Sequence, residues 1–190
     1  ARDREAIYAQ AREAIVRQIT RLDQTVARSF VPPGVMADYE PPTDAGIAFD
    51  PERAKALLAE AGHAGGEGLE MLSIIYNTDA AHEGIAVAVR DMWQRHLGLD
   101  VPLEGMRSKA LGDRLDNRTF TIARAGWFGD YPDPTTFLNK MRSGSNNNDA
   151  GWMNEEYDRL LDRADRATGA ERVALLQQAE RVLLNEAPML

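Results

Sequence analysis

One aromatic and acidic stretch, RAGWFGDYPDPTTFL at residues 124–138, carries the residue types best suited to chemistry in this sequence. Gly126 allows close approach to the backbone, and Trp127 and Tyr131 offer flat amphipathic rings. Asp130 places a carboxylate beside those rings. Such a set can receive a cation and stack against an extended chain, so the stretch indicates a binding loop.

A purely structural interpretation of the same stretch is open. Trp127 and Phe128 are then core residues, Asp130 caps a turn, and Asp133 begins a helix over residues 135–141, since aspartate in loops is typical of turns. The spacing alone does not choose between the binding loop and the turn.

Patterns typical of enzymes are absent from the sequence. A zinc-binding helix needs a second histidine one turn after the first, but Ala86 stands where that ligand would follow His82 and Glu83. Neither Ser143 nor Ser145 has the flanking glycines of a nucleophile elbow. Cysteines and phosphate-binding glycine motifs are also lacking. We therefore expect no enzyme, no metal site and no cofactor, although the many carboxylates leave an acid and base pair open.

Composition narrows the possible partners. The 190 residues carry a formal net charge of -8, with the acid spread along the chain. A nucleic-acid-binding protein needs a basic surface, so we expect no nucleic-acid partner. No apolar run is long enough to span a bilayer, and the first residues, ARDREAIYAQ, lack the design of a signal peptide. We expect any targeting segment to lie outside these residues.

Hydrophobic periodicity and capping signals predict a chain that alternates helices with short strands. Asp50, Pro51 and Gly62 mark the start and end of one helix, with Leu57 and Leu58 facing inward. Other helices are predicted at residues 3–22, 80–97, 108–115 and 170–186, and one more after Asn154 with Tyr157, Leu160, Leu161 and Ala164 inward. Strands are predicted at residues 69–76, 99–103 and 119–125. Two successive strand–helix–strand crossovers indicate an α/β fold, with a mixed sheet or a parallel one and helices packed on it.

We interpret residues 1–190 as a single domain. Residues 23–49 form a long loop with apolar anchors, and residues 143–149, SGSNNND, are interpreted as a solvated loop. The last two helices are expected to pair as a hairpin, with Asn154 capping the first of them.

The order of several segments closely resembles the oligopeptide-binding branch of the extracytoplasmic solute-binding proteins, family 5, of ABC importers. The segments that carry the resemblance are, in chain order, DPERAKALLAEAG, IIYNTDAAHEG, WQRHLGLDV, GWFGDYPDPTTFL and AERVLLNEAP. The resemblance covers nearly all of the chain. It implies one lobe of a type II periplasmic binding protein, which captures short peptides and performs no chemistry.

The resemblance also implies roles for individual residues. Asp130 matches the aspartate that pairs with the terminal ammonium of a peptide. Gly126 and Trp127 resemble the family's pair of residues that contact the peptide backbone, and Arg124 resembles a basic residue able to meet a peptide carboxylate.

Two further positions resemble residues that face the ligand cavity. These are Asn77 and His82, in the IIYNTDAAHEG segment. Each has a plain alternative, since Asn77 can simply end its strand and His82 can simply cap its helix.

The family's receptors are much longer than 190 residues, so the resemblance implies the C-terminal lobe, without the N-terminal lobe that would complete the site. The implied partners are short peptides, that other lobe and the membrane subunits of the importer, and the implied location is periplasmic or otherwise extracytoplasmic. Ser108 departs from the family, where a tryptophan is common. Alternatives are a receptor lobe for dipeptides or murein peptides, an isolated or engineered folding module without a ligand, and a hydrolase.

Overall fold

A computed structural model describes residues 12, 15–21, 23–46, 50–78 and 82–189. The described residues belong to two compact units, the first within Ala1–Val26 and Ala48–Ala125 and the second within Ala27–Ile47 and Gly126–Leu190. The interpretation of residues 1–190 as a single domain stays a prediction.

A small parallel sheet lies at the centre of the first unit. Its strands are β1 (Ile74–Asn77), β2 (Leu103–Met106) and β3 (Ile122–Ala123), in the order β2-β1-β3. Ile74 is in register with Leu103 on one side and with Ile122 on the other. Every residue of β1 is buried, as expected for a central strand covered on both faces. The α/β fold is confirmed. The sequence allowed a mixed sheet or a parallel one, and both pairings between the described strands are parallel.

Three helices of the first unit connect or cover these strands. They are α1 (Pro51–Glu60), α2 (His82–Leu97) and α3 (Ser108–Asp116). The Asp50 carboxylate accepts a hydrogen bond from Arg53 N at 3.0 Å, which confirms the predicted cap of α1. The two later helices follow β1 and β2, so the strand–helix–strand order is also confirmed.

Several boundaries and one buried position in the first unit were predicted wrongly. β1 begins five residues later than residue 69, because Leu69 N and Leu72 N donate to the carbonyls of Gly66 and Leu69 in consecutive turns. Leu57 is 47% exposed rather than inward. Of these two leucines, it is Leu58 that packs against the apolar cluster around the sheet.

The strand expected at residues 99–103 is shifted along the chain to β2. Leu99 and Val101 are buried, but they precede the ladder, which begins after Pro102. Proline has no N–H to donate to a ladder, and the Pro102 carbonyl accepts instead from Ile74 N at 2.9 Å. β2 lies at an edge of the sheet of described strands. β3 is likewise shorter than the predicted residues 119–125.

The predicted helix at residues 3–22 lies mostly outside the described residues. Within them, Ile15–Thr20 forms a π-helical segment. No helix of the part that the structure describes is both long and apolar enough to cross a membrane.

The second unit is helical. Its helices are α4 (Thr135–Leu138), which continues as a 3₁₀ turn over Asn139–Met141, α5 (Glu155–Ala164) and α6 (Gly169–Glu186). The carboxamide of Asn154 accepts from Tyr157 N at 2.9 Å, which confirms the predicted cap. α5 and α6 pack against each other, as the predicted hairpin requires. Their shared core contains Tyr157, Leu160, Leu161, Ala164, Leu175, Leu176, Ala179 and Leu183.

A buried carboxylate ties the segment 27–47 to α6. Glu180 Oε1 accepts from the backbone N–H groups of Phe30 and Val31, each at 2.8 Å, and Glu180 Oε2 accepts from the Tyr39 hydroxyl at 2.5 Å. Burial raises the pKa of Glu180, while the hydrogen bonds from Tyr39, Val31 and Phe30 act in the opposite direction. The long loop is therefore fixed by a polar contact as well as by its apolar anchors.

The loop at residues 143–149 is not simply solvated. Asn148 is 1% exposed, and its Nδ2 donates to the carbonyls of Arg142 at 3.2 Å and Trp152 at 2.7 Å. The Lys140 ammonium also forms an ion pair with Asp149 at 2.7 Å. A buried amide with backbone partners gives this polar loop a fixed shape, which its composition did not indicate.

Candidate functional site

Two of the predicted binding residues meet at the carboxyl edge of the parallel sheet. Asn77 is the last residue of β1, and Arg124 directly follows β3, where its backbone N–H donates to the Ile75 carbonyl at 2.8 Å. Arg124 Nη1 donates to Asn77 Oδ1 at 3.4 Å, and Asn77 Nδ2 donates to Ser108 Oγ at 3.2 Å. Open α/β sheets hold ligands beyond the carboxyl ends of their strands. The fold therefore brings Asn77 and Arg124 together where a ligand is expected.

The charge of Arg124 has no ion-pair partner among the described residues. Its side chain is half-buried, and burial lowers the pKa of its guanidinium. A half-buried cation is costly unless it is paired or hydrogen-bonded, and its one described side-chain partner is the neutral Asn77. The arrangement can therefore receive an anion, such as a carboxylate.

His82 is the first residue of α2, which follows β1 after a short connection. Its side chain is half-buried. This position suits a helix cap and a cavity-facing residue equally well, so its role in ligand binding stays a prediction.

The remaining predicted site residues lie in the second unit, in the loop before α4. Trp127 is half-buried, and its Nε1 donates to the Thr136 carbonyl at 2.7 Å. The Lys140 ammonium lies 5.0 Å from the centroid of the Trp127 ring, within the range of a cation–π contact. Phe128 is 91% exposed, so the interpretation that made both aromatic residues core is wrong for Phe128.

Two aspartates of this loop have different surroundings. Asp133 Oδ1 accepts from Thr135 N at 3.0 Å and Oγ1 at 2.7 Å, and its carboxylate forms an ion pair with Arg172 at 2.8 Å. Asp130 is exposed, and its carboxylate has no hydrogen bond or ion pair with any residue that the structure describes. Asp133 is therefore the carboxylate that begins the helix, and Asp130 is available to a ligand.

The backbone around Asp130 is held in place. Asp130 N donates to Thr136 Oγ1 at 2.8 Å. A Cβ added at Gly129 would lie 3.1 Å from ring atoms of Phe137 and from Thr136 Cγ2, so this stretch of backbone lies close against α4. Gly126, at the start of the loop, is exposed. The loop thus presents the Asp130 carboxylate from a fixed backbone.

Sequence reasoning missed two polar residues that hold the candidate binding residues. Ser108 was noted only as a departure from the family, yet it contacts Asn77. Thr136 contacts both Trp127 and Asp130. The available signal was the position of each at a helix start, where a small hydroxyl side chain is often a hydrogen-bond partner.

No group of metal-ligating side chains that could hold an ion occurs among the described residues. The sheet edge of the first unit presents one guanidinium with amide and hydroxyl groups, which suit the recognition of an anion. The loop of the second unit presents one exposed carboxylate, which suits the recognition of a cation.

An α/β unit with polar side chains at the carboxyl edge of its sheet is an arrangement found in many ligand-binding proteins. The model of the bacterial extracellular solute-binding proteins, family 5 Middle, matches residues 2–149. The chain belongs to this family.

Individual relatives agree with this assignment. The oligopeptide-binding protein OppA of Bacillus subtilis (strain 168) is 34% identical over 189 residues, which cover 96% of this chain and 34% of that protein. The crystal structure of a periplasmic oligopeptide-binding protein from Borrelia burgdorferi superposes with a TM-score of 0.84 at 30% identity, covering 97% of this chain and 37% of that one. OppA of Haemophilus influenzae, solved in complex with the peptide RPPGFSPFR, gives a TM-score of 0.79 at 32% identity, covering 96% and 37%.

The chain spans about a third of the length of the curated relatives it matches. These relatives are binding proteins and not enzymes, and several are named as periplasmic. The predicted family and the α/β fold are confirmed.

Proposed function

We propose that this chain is a peptide-binding lobe of a substrate-binding protein of an ABC importer, and that Asp130 receives the terminal ammonium of a short peptide. The observation that carries the proposal is the exposed Asp130 carboxylate, which lies on a fixed backbone and has no partner among the described residues. The neighbouring Asp133 serves the structural role instead.

The chemistry suits a receptor that reads the ends of a peptide. A hydrogen bond between a carboxylate and an ammonium contributes about 1.5 to 3 kcal/mol net. We propose Arg124 as a group that receives a carboxylate, with Asn77 holding its guanidinium. Charged ends and backbone groups are common to all peptides, so recognition of this kind tolerates varied side chains. Water can then fill the space around those side chains.

The rest of the proposed activity belongs to a longer protein. The relatives are about three times as long as the matched region, so we propose that another lobe completes the binding site and that the full receptor delivers peptide to membrane subunits outside the cytoplasm. Closure of two lobes over a ligand is a common motion of such receptors. We propose that no bond of the peptide is broken, since the residues present suit recognition.

The experiment is calorimetric titration of the full-length gene product that contains these residues with peptides of graded length, each in free and N-acetylated form. The proposal predicts binding of the free peptides and at least a tenfold loss of affinity on acetylation, because acetylation removes the ammonium charge. Equal affinity for both forms would contradict the role of Asp130. Chromatography of the recovered peptide tests the hydrolase alternative, and cleaved peptide would contradict the proposed function.

A further inference from the structure

Phe128 is the feature of the loop that ammonium recognition leaves unexplained. Its side chain is 91% exposed, more than any other large apolar side chain on the surface of the described residues. Single exposed apolar side chains are common on protein surfaces, but exposed rings grouped beside a polar site suit an interaction surface. The ring of Phe128 is therefore open to contact by a ligand of this loop.

The residues on either side of Phe128 fix the backbone that presents its ring. Trp127 is tied through its indole N–H to the Thr136 carbonyl, and Asp130 is tied through its backbone N–H to Thr136 Oγ1. Gly129, between Phe128 and Asp130, lies so close to Phe137 that an added Cβ would crowd its ring. The loop is fixed on both sides of Phe128, so the outward ring is part of a prearranged surface.

Chain geometry links the ring to the proposed ligand. Two residues of a chain span at most about 7 Å, so the Phe128 side chain starts close to the exposed Asp130 carboxylate. In a peptide, the carbon that bears the terminal ammonium also bears the first side chain. A peptide whose ammonium meets Asp130 therefore places its first side chain within reach of Phe128.

A second aromatic ring borders the same carboxylate. Tyr131 is 47% exposed, and its hydroxyl lies 3.3 Å from Thr135 Oγ1, which holds the ring from its polar end. Exposed rings thus occur on both sides of Asp130 in the chain. Aromatic side chains give large apolar contact area with little conformational freedom to lose.

We propose that Phe128, with Tyr131, selects peptides whose first residue has an apolar side chain. This inference rests on the proposed function, because it needs the peptide ammonium at Asp130. An acidic first side chain is disfavoured by the Asp130 charge, and glycine leaves the rings uncovered.

The test compares tripeptides that differ only in the first residue, Leu, Gly or Asp, by calorimetry on the full-length gene product and on Phe128→Ala. We expect the wild type to prefer the leucine peptide over the glycine peptide by about tenfold, as burial of an apolar side chain predicts. Phe128→Ala should reduce that preference to about twofold, and Phe128→Leu should retain most of it. Met153→Ala removes an apolar side chain that is 75% exposed elsewhere in the same unit and should leave the preference unchanged.

The remaining outcomes separate the inference from the proposed function. An equal loss of affinity for the leucine and glycine peptides in Phe128→Ala would mean that the ring contacts another part of the receptor, which overturns the inference. An unchanged preference overturns it as well. If N-acetylated and free peptides bind the wild type equally, the proposed function fails whatever the Phe128 variants show.

Discussion

Arg172 donates two hydrogen bonds to the Asp133 carboxylate, from Nη1 to Oδ2 at 2.8 Å and from Nη2 to Oδ1 at 2.9 Å. The pair is half-buried and joins the start of α4 to the first turn of α6. Asp130, close by in sequence, has no such partner among the described residues. This contrast divides the two aspartates into a structural one and one that is free to bind.

The two aspartates should differ in their effect on stability. We expect Asp133→Asn to lower the free energy of unfolding by about 1 to 3 kcal/mol, because it weakens a two-point charged contact. Asp130→Asn should change it by less than about 0.5 kcal/mol, as is usual for an exposed side chain. Urea denaturation followed by circular dichroism measures both values. A larger loss for Asp130→Asn would contradict the division of roles.

The stability effect of Asp133→Asn should depend on pH. Burial acts to raise the pKa of Asp133, but the hydrogen bonds from Arg172 and Thr135 outweigh it and hold the pKa below its usual value. A lowered pKa in the folded state gives stability that is present above the unfolded value of about 3.9 and lost as pH falls through the folded value. The difference between wild type and Asp133→Asn should therefore shrink when the measurement is repeated in acid.

Glu180 should show the opposite pH dependence. Its pKa in the folded state is raised by burial, so its contribution is fully present below the unfolded value of about 4.3 and is lost as pH rises through the folded value. Glu180→Gln keeps an acceptor for Phe30 N and Val31 N without a charge. We expect this variant to gain stability relative to wild type as pH rises from acid to neutral.

A matched variant separates the charge of Glu180 from its hydrogen bonds. Glu180→Ala leaves the backbone N–H groups of Phe30 and Val31 without their acceptor, so it should lower the free energy of unfolding by about 2 to 4 kcal/mol in acid. That loss should shrink as pH rises, because the wild type then loses part of the contribution of Glu180. Thermal or urea unfolding across the pH range gives both series. A stability difference between wild type and Glu180→Gln that does not change with pH would contradict the raised pKa.

Arg124 should affect ligand binding more than folding. Arg124→Gln removes a half-buried charge with no ion-pair partner in the described part of the chain, so we expect stability to stay within about 0.5 kcal/mol or to rise. Affinity for a peptide with a free carboxylate should fall about tenfold, while the C-amidated peptide should lose much less. Arg95→Gln, at an exposed position on α2, is the control. Equal losses for both peptides would mean that Arg124 does not read the carboxylate.

Residues 1–190 alone should bind peptide weakly, with a dissociation constant above about 1 μM, because one lobe supplies part of the contacts that a closed receptor supplies. Calorimetry with a tripeptide or tetrapeptide on the chain and on the full-length gene product makes the comparison. Submicromolar binding by the chain alone would contradict the proposed need for a second lobe.

Local signals predicted the punctuated helices well. Asp50 before Pro51, and Asn154 before a stripe with Tyr157 and Leu161, specify a cap and a buried face within one or two turns of chain. The ends of the strands were less predictable. Residues 69–73 continue the apolar pattern of the strand, yet they include turns. A short apolar run does not reveal where pairing with a neighbouring strand stops, so the start of β1 could not be predicted.

Contacts between distant residues explain what the sequence could not predict. Glu180 looks like an ordinary surface residue of α6, and its partners Phe30, Val31 and Tyr39 are 141 to 150 positions away. Asp133 differs from the nearby Asp130 partly through its ion pair with Arg172, which is 39 positions away and could not be predicted from the local sequence. The candidate binding residues were chosen through a resemblance, and the local spacing of the loop alone allowed a turn as well.

The central claim is that the Asp130 carboxylate meets the ammonium of a peptide, and a double-mutant cycle tests it most directly. Affinities are measured by calorimetry for wild type and Asp130→Asn, each with a free and an N-acetylated peptide, with Asp38→Asn as an exposed control in the same unit. We predict a coupling free energy of about 1.5 to 3 kcal/mol between the carboxylate and the ammonium, and none for the control. Additive effects, with a coupling below about 0.5 kcal/mol, would contradict the claim.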